Sequence, residues 1–153
     1  MWEVTEKETL HTKVFQLWND VDRKLGKNPF VIAAKQGISV NFYEADSNSV
    51  KIPLHYSKFR PDEMTIDIFN TSLVRFWDDM FPGCSPELKY EYACWRELWH
   101  YWVHSRFAPL RWILGDNWLD FLEDFLTLPV LKREYLGQYF ASLATGVIAF
   151  ETC

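Results

Sequence analysis

The hydrophobic pattern of this chain changes period twice, and that restricts the fold more than any single motif. Leu10, Val14, Leu17, Trp18, Val21 and Leu25 recur at steps of three and four with charges between them, the spacing of an amphipathic helix. Thr5 and Glu8 have capping-box spacing at its start and Gly26 marks its end. Asn28-Pro29 then supplies an N-cap and an N1 proline, and Gly37 a C′ residue, so residues 30–36 read as a two-turn helix, favoured over a buried strand at 30–33 because both ends are marked. Next the period falls to two. Ile38, Val40 and Phe42 alternate with polar or smaller partners, as do Val50, Ile52 and Leu54, across a polar turn at 44–49. That predicts a hairpin, with Pro53 placing its second strand at an edge or a bulge. A loop at 57–63 leads to a third alternating run, Met64, Ile66 and Ile68.

Beyond Asn70 the period is helical again. Helices are predicted over 70–80, 86–107, 116–126 and 129–146, with Pro109 and Gly115 punctuating a connector. Residues 147–150 read as a fourth strand or a helical extension. The expected fold is therefore α+β: a small three-stranded antiparallel sheet, with that fourth strand as an option, between N-terminal helices and a C-terminal helical cluster. No repeat, linker or low-complexity stretch interrupts the 153 residues, so 1–153 is read as a single domain.

Aromatic residues are concentrated. The chain holds 12 Phe, 7 Tyr and 8 Trp, and residues 90–121 carry ten of them. Leu88, Tyr92, Trp95, Trp99 and Trp102 follow a four-three spacing that places them in one stripe of a helix. The stripe is read as core, with one or two of the nearby tryptophans left partly exposed because so many large rings are hard to bury in a short chain.

Glu97, His100 and His104 lie on another face of the same helix. Steps of three and four put such side chains side by side, as metal ligands on one helix require. With the tryptophans inward, this face is expected to meet solvent or another subunit. A metal-binding protein or metal-dependent enzyme using Glu97, His100 and His104, with a further ligand from His55 or the acidic helix, is one functional alternative. The order H-E-x-x-H is absent, as are G-x-G-x-x-G, Walker A and G-x-S-x-G. No cofactor is called for, and the enzyme reading is the weaker one.

Asp116, Asp120, Glu123 and Asp124 form an acidic cluster beside Trp112 and Trp118. Acids in a first helical turn suit the macrodipole, but four in nine residues exceed what capping needs. The net charge of −5 argues against a nucleic-acid partner held by bulk positive charge. The favoured reading is a cytosolic protein–protein interaction module of inhibitor, immunity or assembly-accessory type. It would hold a basic protein partner through Trp112, Trp118, Asp116, Asp120, Glu123 and Asp124. A homo-oligomer is compatible with this, and a small-molecule protein with an aromatic-lined pocket is the third alternative.

Three signs underlie the cytosolic placement. The first eight residues carry mixed charge and no apolar core. Three cysteines are odd in number and form no C-x-x-C. The longest uncharged run, 135–150, is short for a span and interrupted by polar residues.

Overall fold

The structure is a computed structural model describing residues 4–44, 56–105 and 107–147. Helix α1 (Val4–Leu25) buries Leu10, Val14, Leu17 and Val21 and stops where Gly26 takes φ 99°, a left-handed conformation that suits glycine. Helix α2 (Pro29–Lys35) begins as its sequence dictates: the Asn28 side chain accepts hydrogen bonds from the amides of Phe30 and Val31.

Three strands follow: β1 (Ser39–Tyr43), β2 (Ser57–Arg60) and β3 (Thr65–Phe69), in the order β1-β3-β2. β3 pairs antiparallel with β2, Ser57 opposite Ile68 and Arg60 opposite Thr65. It pairs parallel with β1, Ser39 opposite Thr65 and Tyr43 opposite Phe69. The sheet is thus mixed, which corrects the antiparallel expectation. β2 occupies much of the stretch read as a loop. Ser57 and Phe59 are buried while Lys58 and Arg60 are exposed, so the period of two is present but rests on one large apolar residue. The predicted strand over 50–55 lies outside the described residues, as does all but Val147 of the stretch 147–150.

The helical part comprises α3 (Asn70–Met80), α4 (Leu88–His100), a π-helical turn (Tyr101–Ser105), α5 (Phe107–Leu114), a 3₁₀ turn (Gly115–Asn117), α6 (Trp118–Phe125) and α7 (Val130–Thr145). Two details depart from the reading above. The long helix changes to a π turn after His100. The connector is itself helical, because Pro109 falls in the first turn of α5, where its missing amide is not needed.

Helix α4 is the hub, touching α2, α3, α7, β2 and β3. The predicted stripe is core: Tyr92, Trp95, Trp99 and Trp102 are all buried. The Trp102 indole donates to Gln36 Oε1 at 2.9 Å. Trp99 meets Phe121, Phe125 and Phe140 with ring centroids 5.5–6.2 Å apart. On α7, Gly137 faces the same indole so closely that a Cβ there would stand 2.9 Å from Trp99 Cδ1. The close approach of α4 and α7 therefore depends on a residue without a side chain.

Of the cysteines, Cys94 is a buried free thiol whose pKa burial pushes up, aided by Glu97 and Glu91. Cys84 is disulfide-bonded. Among the described residues no helix is long and apolar enough to cross a membrane.

Candidate functional site

The acidic segment lies against α1 and is partly used up by that contact. Lys13 on α1 donates to the Asp120 carbonyl at 2.9 Å and pairs with the Asp124 carboxylate. About three turns further along α1 a second lysine makes the same kind of contact. Lys24 donates to the carbonyls of Trp112 and Ile113 at 3.1 and 2.8 Å, where a cation complements the C-terminal end of α5. Its ammonium also sits 5.4 Å from the centre of the Trp112 ring, and the Arg111 guanidinium lies 5.6 Å from that of Trp118. Asp124 and Trp118 are therefore structural contacts as much as surface.

The remaining members of the predicted set are open. Asp116, Asp120, Glu123 and Trp112 are exposed, Trp112 by 59 %. No described cation pairs with the carboxylates of Asp116, Asp120 or Glu123. Sequence reasoning missed their apolar neighbours. Leu119 on α6, 61 % exposed, and Leu126 at its C-cap, 50 % exposed, lie seven residues apart, with Glu123 between them. Helical phasing puts these three on one side and the buried Phe121, Leu122 and Phe125 on the other. The signal was available: residues 118–126 hold more large apolar side chains than one buried face of an eight-residue helix can use.

Around the hub, Glu97, His100 and His104 do not meet solvent as a common face, and that expectation is corrected. Glu97 is only 2 % exposed. Its Oε2 accepts from Ser57 Oγ at 2.6 Å and from Arg96 Nη1 at 2.9 Å. The other arm of Arg96 reaches Glu134 on α7 at 2.9 Å, and the guanidinium lies over the Tyr56 ring. Burial disfavours the charge on Arg96, but Tyr56, Glu97 and Glu134 outweigh it and raise its pKa. Burial likewise opposes ionisation of Glu134, yet Arg96 and His100 hold its pKa below the ordinary value.

His100 Nε2 lies 3.7 Å from Glu134, and the His100 and His104 rings are 5.5 Å apart. Burial lowers the pKa of both histidines. For His104, with His100 and Arg133 adding to the effect, it falls to about 4. Neutral histidines are competent ligands, but Glu97 is turned to Ser57 and Arg96. Among the described residues no three His, Cys, Asp or Glu side chains are grouped to hold a metal ion. The cluster ties β2, α4 and α7 together.

Two features of different character result: a largely buried polar network, in which Arg96 Nε and His104 Nε2 have no hydrogen-bond partner among the described residues, and an acidic face with exposed leucines at α6. Comparison of the chain with protein-family models, with curated proteins and with solved structures gives no match.

Proposed function

We propose that this protein is a protein–protein interaction module that receives a partner with a basic surface on the outer face of α6 and the end of α5. The observation that carries this reading is Leu119, 61 % exposed beside three carboxylates that no described cation neutralises. An isolated exposed leucine needs no explanation. Leu119 and Leu126 on one face, bordered by Asp116, Asp120 and Glu123, form an apolar anchor with an acidic rim, the arrangement of a contact patch.

The division of labour follows from the physics. The acidic rim steers encounter and rejects acidic partners, while Leu119, Leu126 and Trp112 supply contact area once water is expelled. Lys13 and Lys24 fix the segment on α1 from behind, so the patch is preformed and little ordering entropy opposes binding. Such a module acts by covering the basic site of its partner, as an inhibitor or an assembly accessory does.

The test is affinity capture from the source cells, followed by titration of the purified captured protein against the wild-type chain and the variant Asp116→Lys/Asp120→Lys/Glu123→Lys. The reading expects salt-sensitive binding that the variant weakens by about a hundredfold, or roughly 2.7 kcal/mol. Equal affinity for both chains would remove it.

A further inference from the structure

A second concave site lies away from α6, where α2, β1 and the start of α4 meet. Three rings wall it: Phe30 from α2, Phe42 from β1 and Tyr90 from α4. Phe30 and Phe42 have centroids 6.2 Å apart at an interplanar angle of 48°, and Phe42 meets Tyr90 edge-on at 5.7 Å. Glu44, Glu87 and Glu91 complete the lining of a cleft of about 660 Å³. Phe42 stays 54 % exposed in it.

The wall is held in place. The Tyr90 hydroxyl donates to Asn70 Oδ1 at 2.6 Å, and Asn70 Nδ2 donates to Glu44 Oε2 at 3.3 Å. Glu87 and Glu91 have no such engagement among the described residues. Although Glu87 occupies the N-cap position of α4, its side chain makes no hydrogen bond to the free amides there, so capping does not account for it. Lys89 is the one nearby cation with a described contact, and its Nζ lies 5.1 Å from the centre of the Tyr90 ring. The chain itself therefore already places an ammonium on a ring of this wall, the geometry of a cation–π contact.

The geometry points to this cleft as a binding site for an organic cation, an alkylammonium or alkylguanidinium group. Aromatic faces attract such ions through their quadrupole, and carboxylates at the rim add direct attraction. An anionic ligand would meet three carboxylates, and a wholly apolar one would strip them of water without compensation. A bare metal ion is not suited either, since the carboxylates are not grouped as ligands. Phe30 and Phe42 also line an adjoining groove of about 710 Å³ with Ala34, Ile38 and Val40, where an aliphatic stem behind the charged head would find apolar contact. The same head group occurs on a free amine and on the basic side chain of an extended peptide. The inference stands independently of the α6 surface, with which it shares no residue.

The test uses ethylguanidinium chloride, its uncharged isostere ethylurea, and the peptide acetyl-Val-Arg-Val-amide, each titrated into the whole chain. Binding is followed by NMR shifts of the Phe42 and Tyr90 ring signals. Expected are saturable shifts with the two cations and about tenfold weaker binding of ethylurea. The variant Glu87→Gln/Glu91→Gln should weaken cation binding by about fivefold or more, as should Phe42→Ala. The carboxylate variant changes one exposed and one half-buried side chain without altering their size and serves even if Phe42→Ala unfolds. A peptide bound about ten times more tightly than ethylguanidinium assigns the site to a peptide, and equal affinities assign it to a small free organic cation. Shifts that stay linear, an equal response to ethylurea, or affinity unchanged in the carboxylate variant would each overturn the inference.

Discussion

Arg96 on α4 and Glu134 on α7 are joined by a 2.9 Å ion pair that lies beside the buried carboxylate of Glu97. The guanidinium thus answers two carboxylates of unequal need. Glu97 is sealed from water, whereas the Glu134 side chain is 37 % exposed and can be solvated without its partner. Removing the cation leaves a buried charge uncompensated, which costs about 3–5 kcal/mol. Removing only the charge of Glu134 costs about 1 kcal/mol or less. Urea denaturation of Arg96→Met and Glu134→Gln should show that inequality. Similar midpoints for the two variants would mean that Glu97 does not depend on Arg96.

Helix propensity alone predicts that Gly137→Ala stabilises α7 by about 1 kcal/mol. The contact with Trp99 predicts the opposite sign. A methyl 2.9 Å from Trp99 Cδ1 must push the indole against Phe121, Phe125 and Phe140, and overpacking of this kind destabilises by about 1–3 kcal/mol. Thermal unfolding of the variant decides between them, and a raised midpoint would show that α4 and α7 are not packed this closely.

Stability should fall on mild acidification. His104 is held near pKa 4 by burial, His100 and Arg133, against an ordinary value of 6.5. Between those values the unfolded chain binds more protons than the folded one, so stability is complete above about pH 6.5 and is lost as the pH drops toward 4. His100, lowered by burial, acts in the same direction, and Glu134, lowered chiefly by Arg96, adds to the loss at the acid end. The unfolding midpoint measured from pH 7.5 to 4.5 should decline, and less steeply in His104→Gln. Parallel curves for the two proteins would assign the decline to other groups.

The helices were legible because their signals are local. Asn28-Pro29 announces α2 within two residues, and the Trp95-Trp99-Trp102 spacing announces the buried side of α4. β2 was not legible because one of its two inward residues is Ser57, whose burial makes sense only once Glu97 accepts its hydroxyl from 40 positions away. The parallel pairing of β1 with β3 was equally hidden, since nothing in either strand records which neighbour it takes. A helical wheel separated Glu97 from the tryptophans but could not say that β2 and α7 cover the Glu97 side. For the surface, the acids were visible as a run, whereas the commitment of Asp124 to Lys13 and the exposure of Leu119 depend on how α6 lies on α1.

Lys13 separates two carboxylates that look alike in the sequence. Asp124 is paired with Lys13 through its side chain, so Asp124→Asn should lower stability by about 1 kcal/mol or less and leave partner binding unchanged. Asp120 lends Lys13 only its backbone carbonyl, so Asp120→Asn should do the reverse, keeping the unfolding midpoint while weakening the partner. Both quantities measured on both variants test the assignment, and an exchange of the two effects would contradict it.

In the function proposed above, the outer face of α6 binds a basic protein. The most direct measurement is the affinity of the purified captured partner for the triple variant Asp116→Lys/Asp120→Lys/Glu123→Lys and for Leu119→Ser, at low and moderate salt. Expected are a loss of about a hundredfold for the charge reversal, about tenfold for Leu119→Ser, and an affinity that falls with added salt for the wild-type chain and Leu119→Ser but not for the charge reversal. Affinities that match the wild type in both variants, at either salt concentration, would contradict it.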